Sequence, residues 1–191
     1  CMSAQNETEI PDVLSDARIH LHITGFGLDK LKIPFNQGSE LKTLNLTANH
    51  ILAIPKETFM NVTKLKTLIL SNNRIISLPD TLLQPLLQLE YLDLSGNYLT
   101  ILDENLINLN RQLNTWLLHS NKLTKVTTST MYPIRSLSNL TLYENPWMCF
   151  CNNSFQQWMT KNIKVLDNPE DIRCNGSGIP VMQANETCYK E

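Results

Sequence analysis

Apolar positions recur along the chain with a fixed spacing of 24 residues. Leu41, Leu44, Leu46 and Asn49 are met again as Leu65, Leu68, Leu70 and Asn73, then as Leu89, Leu92, Leu94 and Asn97. The next copy is Leu113, Trp116, Leu118 and Asn121, and the last is Leu137, Leu140, Leu142 and Asn145. Five copies of L-x-x-L-x-L-x-x-N in succession define a tandem array. In each copy the L-x-L pair alternates with period two, which predicts a short strand with both leucines on one inward face. The Asn falls where the strand turns. Its amide both donates and accepts, so stacked asparagines can pair the backbone groups of successive turns. Ile54, Phe59 and Val62, and then Leu78, Leu82 and Leu86, fill the return segments. Ile54-Pro55 and Leu78-Pro79 mark the exit from the turn, where the proline blocks helix. No unit closes its own core, so stability comes from stacking.

A weaker unit precedes these. Ile19, Leu21 and Ile23 fit a strand whose centre lies 23 residues before Leu44. Phe26 takes its ladder position, and Leu31, Ile33 and Phe35 continue its core. The expected fold is an α/β repeat solenoid, a short horseshoe with parallel strands on its concave face. It divides into a divergent N-terminal flank with one degenerate repeat (1–36), five repeats (37–145) and a cysteine-rich cap (146–191). Six strands at about 4.8 Å spacing give a sheet about 24 Å wide.

Composition agrees: 31 leucines and 21 asparagines, an unusual pairing, are explained by one unit that uses both. Sixteen Lys+Arg balance eighteen Asp+Glu, for a net charge of -2. No basic cluster stands out, so a nucleic-acid or anionic-membrane surface is not expected. No uninterrupted apolar stretch of about 18 residues is present. There is no leader-like start, and the chain opens at Cys1 without an initiator Met, which reads as a mature or excised piece. Nucleophile-elbow, H-E-x-x-H and phosphate-loop signatures are absent, so neither an enzyme nor a cofactor is expected. His20 and His22 share one strand face, but with no third ligand they read as a solvated polar pair.

The cysteines are Cys1, Cys149, Cys151, Cys174 and Cys188. The last four follow C-x-C-x22-C-x13-C directly after Asn145-Pro146-Trp147. Four cysteines allow three pairings; zinc is the competing reading, disfavoured by the spacing. Phe155, Trp158 and Met159 fall at helical spacing after Asn153-Ser154, a short helix expected to cover the last repeat, with Trp147 and Trp158 in the core. Cys1 is odd, and its bland reading is a partner in sequence outside this piece. Seven N-x-S/T acceptors, at Asn6, Asn45, Asn61, Asn139, Asn152, Asn175 and Asn185, point to the secretory pathway. Asn45 and Asn139 face the concave side in the strand reading, so glycans there would cover the first and last full repeats. Most outward strand positions are small and polar. Ile69, Tyr91, Leu117, His119 and Tyr143 are larger and are the candidate contacts for a partner.

The five motifs resemble the leucine-rich repeat family, and the segment Asn145-Pro146-Trp147-Met148-Cys149-Phe150-Cys151 with Cys174 and Cys188 resembles the membrane-proximal cap of Toll and Toll-like receptors. That resemblance implies the pairing Cys149–Cys174 and Cys151–Cys188. It also implies an extracellular receptor fragment, with a membrane span and signalling domain outside this chain. The partners it implies are a cystine-knot cytokine or microbial product, and a second receptor in a homodimer. Blocks of this kind open with a C-x-x-x-C-x-C cluster, whereas this chain shows only Cys1. A secreted pattern-recognition or decoy module, and a small matrix or adhesion protein, are the alternatives.

Overall fold

The computed structural model describes residues 19–29, 31, 40–131, 136–149 and 154–183. Seven short strands form one parallel sheet in chain order: β1 (His20–His22), β2 (Thr43–Asn45), β3 (Thr67–Ile69), β4 (Tyr91–Asp93), β5 (Thr115–Leu117), β6 (Asn139–Thr141) and β7 (Leu166–Asp167). Leu21, Leu44, Leu68, Leu92, Trp116 and Leu140 stand in register across β1 to β6. They lie in one continuous core with the return-segment residues Ile54, Phe59, Val62, Leu82 and Leu86, against which Leu78 is half-buried. The chain is a solenoid of about five turns, as the repeat requires.

Each ladder asparagine is buried and works in three directions. Asn97 Nδ2 donates to Leu94 O in its own turn (3.1 Å) and to Leu70 O one turn back (3.0 Å). Its Oδ1 accepts the Ile75 N–H of the preceding turn at 3.1 Å. Asn73, Asn121 and Asn145 make the same bonds one turn apart. Asn49 reaches Ile23 O and accepts from Phe26 and Leu28. The residue before each ladder asparagine sits in the left-handed region: Ala48, Asn72, Gly96, Ser120 and Glu144, with φ between 55° and 63°. Three of these five, Ala48, Ser120 and Glu144, are residues that disfavour it, at about 1–2 kcal/mol apiece. The ladder bonds hold the turn in that conformation.

Three sequence expectations change. Phe26 stands at the ladder position of the first unit, but its side chain is 51% exposed, and only its N–H enters the ladder. An aromatic ring cannot reproduce the two-way bonding of an amide, so Asn49 closes that end instead. Second, the sheet has a seventh strand where six were expected, because the cap supplies β7. Leu166 pairs with Leu140 at a spacing of 26 residues, outside the 24-residue period. Third, Trp158 is half-buried at the margin of the core rather than inside it.

The cap terminates the ladder chemically. Each ladder Nδ2 donates to a carbonyl one turn back, and Leu142 O would be the next acceptor. Trp147 Nε1 donates to it at 2.9 Å from a fully buried ring. Cys149 is disulfide-bonded to Cys174, and Asn175 N–H donates to Trp147 O at 2.8 Å. Helix α1 (Thr128–Met131) lies in the return segment between β5 and β6. Helix α2 (Ser154–Lys161) packs against it and places Phe155 5.1 Å from the Trp147 ring, with Met159 fully buried. Cys1, Cys151 and Cys188 lie outside the described residues, as do Ile33 and Phe35.

Replacing Asn97 by Ala orphans the buried Ile75 N–H and removes one of the two amide donors from Leu70 O and from Leu94 O, and is expected to cost about 1–3 kcal/mol. Leu94→Ala is expected to cost about 2–5 kcal/mol as a core cavity. Chemical denaturation checks both; unchanged midpoints would show that the strand register is wrong.

Candidate concave-face site

The face opposite the leucines is built by the first and third residues of each strand and the second residue after it. Side chains two apart on a strand share a face, so Tyr91, Asp93 and Ser95 project away from Leu92 and Leu94. Register aligns the rows across the sheet. Thr67, Tyr91, Thr115 and Asn139 form one; Asn45, Ile69, Asp93, Leu117, Thr141 and Asp167 form the next.

Ile69, Tyr91, Leu117, His119 and Tyr143 are all half-buried on this face. They do not form one apolar stripe. Ile69 and Leu117 flank Asp93 from either neighbouring strand. His119 and Tyr143 form a separate pair near the C-terminal end, stacked at 4.6 Å with the planes 17° apart. Thr141 Oγ1 accepts the N–H groups of Leu118 and His119, and shares a 2.8 Å hydrogen bond with His119 Nδ1 that fixes the imidazole edge. Ser120 donates to the Glu144 carboxylate beside this pair.

The polar residues between them are less open than their sequence positions imply. Ser71, Asp93, Ser95 and Thr141 are buried, because strands so closely spaced shield the smaller side chains with larger neighbours. Asp93 is only 8% exposed, and Ser95 donates to its Oδ1 from both the N–H (2.9 Å) and the hydroxyl (2.6 Å). Asn45 holds Thr47 in the same way, at 2.9 and 2.6 Å. Asn45 Nδ2, the atom a glycan would take, has no hydrogen-bond partner among the described residues. Asn139 and Asn175 are exposed and Asn61 is half-buried; Asn6, Asn152 and Asn185 lie outside the described residues. His20 and His22 are exposed on β1, and no group of three or more His, Cys, Asp or Glu forms a metal site among the described residues.

An open depression lined by Glu90, Tyr91, Gln112, Asn114 and Thr115 adjoins the N-terminal ends of β4 and β5. Glu90 is paired with Lys66 at 2.6 Å, and Lys64 with Glu40 at 2.5 Å, along the same edge. These pairs are half-exposed and contribute little to stability. Burial, and then the negative charge of Asp93, raise the Tyr91 pKa. Burial, then Asp167 and Glu144, raise that of Tyr143. Both phenols therefore stay protonated and able to donate at physiological pH.

Residues 39–99 match the leucine rich repeat family model. That stretch holds β2 to β4 and the first three ladder asparagines, and the two repeats after it keep the same ladder bonds. No curated protein matches the chain. The parallel solenoid carries the matched repeat pattern on through two further turns. Stacked-repeat folds present the curved sheet as an extended surface, and the matched family model suggests a protein-interaction module.

Folding raises the Tyr91 pKa above its ordinary value of 10.0. The folded chain therefore holds that proton more tightly than the unfolded one. This contribution to stability is fully present below pH 10.0 and is lost as pH rises through the folded value. Tyrosinate absorbance should show two late-titrating residues, of which one is lost in Tyr91→Phe and the other, Tyr143, remains. If the same residues titrate at the ordinary value with Tyr91 present, the burial and charge described are wrong.

Proposed function

We propose that this chain is the membrane-proximal repeat block of a Toll-like receptor ectodomain, a non-catalytic module for protein interaction and receptor pairing outside the cell. The observation that carries this reading is the cap. Trp147 closes the asparagine ladder, and the Cys149–Cys174 disulfide ties it to the returning chain at Asn175. A disulfide of this kind persists in an oxidising compartment. The seven glycan acceptors of the sequence belong to the same compartment. No helix among the described residues is long and apolar enough to cross a membrane, so attachment would come from a span outside this chain. Partners are then a protein ligand, such as a cystine-knot cytokine, or a microbial product, together with a second receptor.

Antibody raised against this chain should label intact, non-permeabilised cells. The antigen should sediment with membranes and gain mobility after endoglycosidase treatment. Antigen found only in the medium would replace this reading with the secreted module. Unglycosylated antigen confined inside the cell would overturn both.

A further inference from the structure

We infer that the centre of the concave face, Asp93 between Ile69 and Leu117, is a recognition site for a lysine or arginine side chain of a protein partner. The inference rests on the reading of the fold as a protein-interaction module and adds the chemistry of the contact.

Asp93 is buried, yet its hydrogen bonds come from Ser95 alone and go to one oxygen. It takes part in none of the ion pairs of the described residues. Its second oxygen accepts no hydrogen bond among the described residues and is not one of their buried unpaired atoms, so it stays open on the concave face. Its bonds to Ser95 do not explain the charge, because Asn45 makes the same two bonds to Thr47 with a neutral amide. The negative charge is surplus to the turn and available for binding.

The surroundings select a cation. No Lys or Arg occupies any outward strand position or the second residue after a strand, from His20 to Tyr143. The titratable groups on that face are His20, His22, His119, Tyr91, Tyr143 and the acids Asp93 and Asp167. Glu90, at the edge, is already neutralised by Lys66. Ile69 and Leu117 offer apolar walls for the methylene stem of a long basic side chain. Tyr91, two residues along the strand on the same face, offers a ring to the cationic head. A basic side chain would therefore bury its stem and pair with the free carboxylate oxygen.

The test is a methyl NMR titration with a capped leucine-arginine-leucine peptide and its citrulline counterpart, which is isosteric and neutral. The expected result is a saturable shift of the Ile69 and Leu117 methyls with the arginine peptide. Asp93→Asn keeps the acceptor for Ser95 and should weaken that binding about tenfold or more. The citrulline peptide should lose as much on the unaltered protein, which decides the matter should the variant unfold. Equal binding by the two peptides, shifts confined to other residues, or no binding would overturn the proposal. Surface labelling of cells, by contrast, bears on the receptor reading and leaves this titration untouched.

Discussion

The structure depends on the two-way hydrogen bonding of one buried amide per turn. A leucine-rich strand three residues long cannot hold a fold alone, and each turn that returns it leaves carbonyls and N–H groups facing inward. Asn49, Asn73, Asn97, Asn121 and Asn145 pair them, each joining its own turn to the preceding one. Because every amide bonds across a repeat boundary, the ladder also sets the register of the sheet. The left-handed residue before each asparagine is a consequence: the turn must present the amide inward whatever side chain sits there, glycine in one repeat and glutamate in another.

Such a ladder needs ends. At the first turn Asn49 takes over from a unit whose own ladder position is Phe26, and at the last Trp147 supplies the missing donor. The cap is thus a continuation of the same hydrogen-bond logic with an indole in place of an amide. Its disulfide and β7 then cover the last turn's exposed edge.

Much of this was legible in the chain because the 24-residue period forces equal chemistry at equal positions. Leu44, Leu68 and Leu92 predict the strand, and Asn97 predicts its own bonds. What escaped breaks the period or depends on curvature. Leu166 pairs two residues out of step, and nothing in its neighbourhood repeats the strand motif. The ring of Trp147 reads as core, which it is, but its donor matters only once Leu142 O is known to be next in line. Asn110 is buried in the return segment and donates to Leu83 O and Leu86 O where earlier repeats place Leu86 and Val62. One such exception cannot be told from a surface asparagine by pattern. Asp93 reads as an ordinary outward polar residue, and only the shielding by Ile69 and Leu117 makes it a buried charge. The receptor proposal draws on the cap motif, the disulfide that closes it and the glycan acceptors of the sequence.

The central claim is that the asparagines carry the turns, and hydrogen exchange on Asn73→Ala tests it most directly. The Ile51 N–H donates to Asn73 Oδ1 in the native chain, while the Leu123 N–H depends on Asn145, three turns away. The account predicts that exchange at Ile51 accelerates by an order of magnitude or more while Leu123 keeps its protection, since an orphaned buried amide forfeits about 1–3 kcal/mol. Unchanged protection at Ile51 would contradict it, showing that leucine packing alone holds the turn.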